Sequence, residues 1–487
     1  MAEDAKPEAG GGAEAAALPP EPPKGARQAV VLIHGMGEQI PMETLKSFVQ
    51  TIWKTDDAVV FEDAKGRKYD GIWSKPDVRT GSLELRRFTT QRSRDSRAFP
   101  DGVQTDFYEL YWADLTAGST WEQFTGWVRG LLFRTWSTTP RDVRLAWLGL
   151  WGLTIVFLLL GAVGLVPDAR WRAWFPDLPQ KWALAAAAAI PVALQMFARK
   201  TFGRVVRYTR ADPDNIAARA AVRERGLKLL RALHANDDYA RVVVVGHSLG
   251  TILAYDLVGY FWAEQARARR VTVGSTAFEA LARVEETGAD LSEHKDDPVR
   301  RAVFIAAQTD LRRALVARSG PGSEPDARWL ISDLVTLGSP LTHAEFLLAK
   351  GKGDLRRRQR EREMPTSPPE RETLSVSASR KAGAVGLNRP THIVYQPDPR
   401  GAPDLWSLHH AAPFAVVRWT NVHDPAHWVV MGDQISGPLR EAFGPGVVDI
   451  DLSTKGKLAG FTHTRYWDAD TGERLIAVRR AVNLLDD

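Results

Sequence analysis

Hydrophobic positions along the chain form runs of two kinds. Ala29–Ile33 (AVVLI) is continuously apolar and mostly β-branched, as expected of a strand covered on both faces. Val242–Val245 is a second such run, inside RVVVVGHSLGTILAYDLV (Arg241–Val258). There the valines pass through a glycine-flanked turn into residues with helical spacing. Ile331–Leu341 (ISDLVTLGSPL), Phe414–Val422 (FAVVRWTNV) and Val447–Leu452 (VVDIDL) predict further strands. Ser82–Phe88 (SLELRRF) and Thr105–Leu115 (TDFYELYWADL) also read as strands. Pro41–Lys54 (PMETLKSFVQTIWK) has helical spacing, and Asp212–Asp237 predicts a helix with an Asp/Asn-rich start.

A different pattern interrupts these elements. Leu145–Val166 (LAWLGLWGLTIVFLLLGAVGLV) holds no charged residue over 22 positions. At the rise of a helix that is about 33 Å, enough to cross a bilayer core. A shorter apolar stretch, Trp182–Ala198, contains Pro191 and Gln195, and a tryptophan-rich loop joins the two. If the strands on either side share one sheet, the number of crossings must be even. Arg129, Arg134, Arg141 and Arg144 precede the pair, and Arg199, Lys200, Arg204, Arg207 and Arg210 follow it. The loop has only Arg170, Arg172 and Lys181, offset by Asp168 and Asp177. The positive-inside rule then predicts a two-span membrane hairpin with the folded domain on the cytoplasmic side. It also places part of the basic excess beside an anionic lipid surface.

The pattern divides the chain into a disordered tail (1–27), a first folded part (28–140), the hairpin (141–200), a second folded part (201–349), a charged insertion (350–384) and a third folded part (385–487). The tail is rich in Ala, Gly, Pro and Glu and lacks the basic and apolar regions of a secretory signal. The insertion is charged, rich in Ser and Pro and poor in apolar residues, so it is expected to be flexible. Its arginines are interspersed with glutamates and lack aromatic neighbours, which argues against nucleic-acid binding.

Bulk composition adds little beyond this. The 487 residues carry a net charge of +5 and 44% hydrophobic positions, ordinary for a chain with a sizeable core. There is no cysteine, which removes disulfides, thiolate metal sites and a cysteine nucleophile.

Candidate chemistry starts at Gly246-His247-Ser248-Leu249-Gly250, which fits G-x-S-x-G between a strand and a helix. A serine at so tight a turn is strained, and flanking glycines let strand and helix approach. Its hydroxyl would sit at a helix N-terminus, where amides can stabilise an anion. Acyl transfer needs two such amides. Leu249 offers one, and the loop His34-Gly35-Met36-Gly37 after the first strand offers the other at Met36. His34 itself is read as a structural side chain holding that loop. Ser339 lacks an elbow and is not a rival nucleophile. A serine also needs a base and an orienting carboxylate. Asp424 and Asp433 follow the FAVVRWTNV strand, and His463 follows VVDIDL. His409, His410, His423 and His427 cluster with Asp424, but Pro425 disfavours a common helical face and no H-E-x-x-H is present. No metal or cofactor is therefore expected.

The order Ser, acid, His, each after its own strand, together with HGxG, GHSLG and GSP, resembles the α/β-hydrolase superfamily. The likeness is to a lipase-like, membrane-anchored bacterial branch, and it covers about Gln28–Pro140 and Thr201–Val482 apart from the charged insertion. It is carried further by Trp419-Thr420-Asn421, Asp433-Gln434-Ile435 and His463-Thr464-Arg465-Tyr466-Trp467. The resemblance implies an α/β fold with a mostly parallel, doubly wound sheet into which the hairpin is inserted. It implies a serine esterase with Ser248, Asp433 and His463 as its triad and Asp424 as the alternative acid; a lipid or other apolar ester is the substrate expected of a membrane-anchored site that samples the bilayer, since fold and triad do not choose one. A thioesterase or acyltransferase would use the same residues. A non-catalytic membrane scaffold would be expected to break the triad, and none of its residue types is missing.

Overall fold

The apolar runs become neighbouring strands of one sheet. A computed structural model describes residues 26–35, 40–116 apart from most of 78–83, scattered positions in 117–212, then 213–373, 391–395, 404–425 and, with gaps of one to three residues, 432–486. Eight strands form the main sheet: β1 (Arg27–Ile33), β2 (Ile72–Pro76), β3 (Arg86–Arg92), β4 (Gln104–Leu110), β5 (Tyr239–His247), β7 (Ile331–Leu337), β12 (Arg418–His423) and β13 (Val448–Asp451). Their order is β13-β12-β7-β5-β1-β4-β3-β2. The six from β13 to β4 are parallel, and β3 and β2 add an antiparallel edge. A small sheet of β6 (Arg270–Thr272), β10 (Val394–Tyr395) and β11 (Leu405–Leu408) and the pair β8 (Glu372–Thr373) with β9 (Thr391–His392) lie outside it.

The continuous apolar runs follow from burial on both faces. In β1, Ala29, Val31 and Ile33 join one core with Val242 and Val244 of β5, and Val30 and Leu32 join the other with Val243 and Val245. The helices Pro213–His234, Gly250–Glu264, Thr276–Glu293 and Pro298–Arg318 supply the first core. Glu43–Val49 and the C-terminal Glu473–Val482 supply the second. The sheet is thus doubly wound. Each fully buried Val or Leu contributes about 1.5–3 kcal/mol.

The N-terminal ends of the central strands hold a buried charge network. Asp333 accepts from Arg241 at 2.6 Å and from Arg418 at 2.8 Å, and Asp486 accepts from Arg312 at 2.8 Å and pairs with Arg418. Burial alone would push the Asp333 carboxyl up. The two guanidiniums reverse this and hold it well below the usual carboxylate range. Removing one member of such a network typically costs about 3–5 kcal/mol, because its partners stay buried.

Three expectations change or fall outside the description. The strand expected from Phe414 begins at Arg418, because Pro413–Ala415 is a 3-10 turn whose end is closed by Val417 N donating to Pro413 O. The run is apolar because it is buried, in turn and strand alike. The charged insertion is packed over its first half. Lys352–Arg360 is a helix, Leu355 and Met364 enter the core, Ser367 N donates to Phe443 O, and Gly446 N donates to Ser367 O. A few apolar residues and well-placed backbone bonds suffice there, although the composition is polar. Residues 374–390 lie outside the described residues, as do 1–25 and most of the hairpin, Leu145–Val166 and Trp182–Ala198. Among the described residues no helix is long and apolar enough to cross a membrane.

Candidate active site

The loops that matter all leave the C-terminal edge of the parallel strands, where open α/β sheets form their crevices. β5 ends at His247, Ser248 makes the turn, and Leu249 caps the helix Gly250–Glu264. Ser248 has φ +54°, left-handed backbone that costs a non-glycine residue about 1–2 kcal/mol. Its surroundings enforce it. Ser248 N donates to Leu337 O at 2.9 Å, and Thr251 Oγ1 donates to Ser248 O at 2.7 Å. With that proton committed, Thr251 accepts from Ser339 Oγ, also at 2.7 Å. Ser339 therefore braces the elbow. Two glycines let the elbow and the loop after β1 touch backbone to backbone. A Cβ on Gly250 would lie 2.2 Å from Ile33 O, and one on Gly35 would lie 2.6 Å from Ser248 Cβ.

His463 follows β13, and Asp433 lies in the loop after β12. His463 Nε2 lies 2.7 Å from Ser248 Oγ, and its Nδ1 lies 2.9 Å from Asp433 Oδ2. All three side chains are buried. Asp433 Oδ2 also accepts from Tyr466 OH at 2.7 Å, and Oδ1 accepts from Ile435 N at 2.8 Å. Burial pushes the Asp433 carboxyl up, but the hydrogen bond and charge of His463, then Tyr466 and the Ile435 amide, outweigh it. The carboxyl is held below its ordinary range and stays ionised. An ionised carboxylate only accepts, so Nδ1 carries the imidazole proton. Nε2 then has its lone pair facing the serine hydroxyl.

The chain has no match among protein-family models, curated proteins or solved structures.

Asp424 does not reach His463. Its carboxylate pairs with Arg474 at 2.7 Å and accepts from Thr462 Oγ1 at 2.5 Å. It thereby ties the residue before His463 to the C-terminal helix. Asp433 is brought beside it because Asp433 N donates to Asp424 O at 2.8 Å, in a short bridge between Pro425 and Asp433. Leu249 is the N-cap of its helix, where N–H groups lack intrahelical acceptors. Met36 lies outside the described residues, as do Gly37 to Gln39. Beyond that gap, Met42 N donates at 2.7 Å to Glu109, a buried carboxyl that burial pushes up to about 7.

His34 is buried and stacks on Trp112. Its Nδ1 bonds the Gly35 carbonyl, its Nε2 accepts from Trp112 N, and its own carbonyl accepts from Trp112 Nε1. It fastens the loop, as the sequence suggests. Among the histidines considered as metal ligands, His409 Nε2 bonds the Glu370 carbonyl, and His427 lies outside the described residues. The described residues contain no group of three acidic or histidine side chains arranged to hold a metal ion.

Sequence reasoning missed two members of the site. His247, the variable residue before Ser248, bonds the His463 carbonyl through Nε2 at 2.8 Å. Burial pushes its imidazole down to about 3, so it is neutral and donates there. Tyr466 was visible only as part of a motif. Its position three residues after His463 carried no sign of the bond to Asp433.

Proposed function

We propose that the protein is a serine hydrolase of carboxylic esters, with an α/β-hydrolase fold and Ser248, His463 and Asp433 as its triad. The observation that carries this reading is the pair of hydrogen bonds linking Ser248 Oγ, His463 and Asp433 at an elbow whose serine is held in left-handed backbone. Ser248 Oγ attacks the ester carbonyl carbon while His463 Nε2 takes its proton. The ester C–O bond breaks, and the same proton passes from Nε2 to the departing alkoxide. Water, deprotonated by Nε2, then attacks the acyl-serine, and Ser248 regains its proton as the acid departs. Asp433 stays ionised throughout and stabilises the transient imidazolium. The Leu249 amide is one oxyanion donor and Met36 the second.

The substrate proposed is a lipid-like ester, met at a bilayer that a two-span hairpin within 141–200 crosses, with the hydrolase domain on the cytoplasmic side. In the first apolar stretch, the described positions Leu148, Gly152, Ile155, Leu159 and Ala162 are helical and exposed, spaced as one helix face. An uncovered apolar face suits lipid contact better than water. Hydrolysis of p-nitrophenyl esters from butyrate to palmitate in detergent micelles tests the substrate class. Turnover is expected to rise with acyl length to an optimum above eight carbons. Turnover confined to short chains, or to matched thioesters alone, would overturn the assignment.

A further inference from the structure

The triad does not end at its acid. Tyr466 is wholly buried beside Asp433, and both its hydroxyl and His463 Nδ1 bond the same carboxylate oxygen, Oδ2. Ser436 Oγ lies 2.9 Å from the Tyr466 oxygen. The direction of each bond follows from counting protons. Asp433 is ionised and only accepts, so the single Tyr466 proton points to Oδ2. The tyrosine oxygen must then accept from Ser436. On the other side His463 gives Nδ1–H to the same Oδ2, which leaves Nε2 free to accept from Ser248. A directed chain results, Ser436 to Tyr466 to Asp433 on one side and Ser248 to His463 to Asp433 on the other.

We propose that Tyr466, supported by Ser436, is a positioning residue that fixes the Asp433 carboxylate and sets the pH range in which His463 works as a base. This rests on the triad reading of the site. Two donors on one oxygen compete for its electron density. The tyrosine draws charge from Oδ2, so the carboxylate holds an imidazolium less tightly than it would alone. Burial and the Asp433 charge push the Tyr466 phenol well above its ordinary value, so it remains a donor across the working range. Among the described residues, the other ionisable groups packed here do not take its place. His247 is neutral and turned to the His463 carbonyl, and Asp424 is neutralised by Arg474.

The test is the rate of fluorophosphonate labelling of the full-length protein against pH, for the wild type, Tyr466→Phe, Ser436→Ala and Ser248→Ala. Phenylalanine keeps the ring and removes only the donor. The acid limb of the Tyr466→Phe profile is expected to move up by about half a pH unit to one unit, the scale of one lost hydrogen bond to a charged group. Ser436→Ala is expected to move it in the same direction by less, and it serves alone if Tyr466→Phe does not fold. Profiles of folded variants that superimpose on the wild type, or shift to lower pH, would overturn the proposal. A change in plateau rate alone would do the same, since loosened packing lowers the rate without moving the limb. Labelling of Ser248→Ala at the wild-type rate would instead remove the triad reading beneath it.

Discussion

Ser248→Ala is expected to lower ester turnover by about a millionfold, the loss seen when one member of a triad that acts as a unit is removed. His463→Ala should cost about as much, and the double variant no more, because neither group can attack without the other. The fold should survive. Among the described residues the only side-chain hydrogen bond made by Ser248 is to His463, and alanine tolerates left-handed backbone no worse than serine. Ser248→Gly goes further: it relieves the strain at φ +54° and should stabilise the protein by about 1 kcal/mol while abolishing turnover. Turnover of a p-nitrophenyl ester and urea unfolding of the same preparations check both halves. An inactive but more stable glycine variant is the outcome expected of a strained nucleophile. A destabilised glycine variant would place the strain elsewhere.

Asp433→Asn and Asp424→Asn should separate cleanly. An asparagine at 433 can present an N–H to His463 Nδ1. The imidazole proton would then move to Nε2, which would donate to Ser248 where it must accept. A drop of about 10⁴ in kcat follows from that wrong tautomer, with folding retained. At 424 the carboxylate pairs with buried Arg474 and holds Thr462, and it has no contact with the imidazole. Its neutralisation should cost about 3–5 kcal/mol of stability and leave kcat per folded molecule within a few fold. Steady-state kinetics on folded protein, with circular dichroism melts beside them, decide. The opposite pattern would make Asp424 the acid.

Much of the frame was legible in the chain. The two-sided burial of β1 and β5 shows as unbroken apolar runs, and the order of Ser248, the acid and His463 can be read because each follows its own strand. Other features depend on contacts that no local pattern encodes. Phe414–Val417 reads as strand because apolar periodicity reports burial, and a buried turn looks the same. Lys352–Thr373 reads as flexible because its packing uses two core side chains and backbone bonds to Phe443 and Gly446. The choice between Asp424 and Asp433 could not be made from spacing, since a bridge at Pro425 returns Asp433 to the strand end. Tyr466 and His247 act through single hydrogen bonds to residues far along the chain or already assigned another role.

The triad reading is tested most directly by treating the folded full-length protein with a fluorophosphonate probe, against a Ser248→Ala control, and mapping the adduct by mass spectrometry. A single adduct on the peptide containing Gly246–Gly250, absent from the control, is the result predicted. An unlabelled wild type that is folded, or equal labelling of wild type and Ser248→Ala, would contradict it.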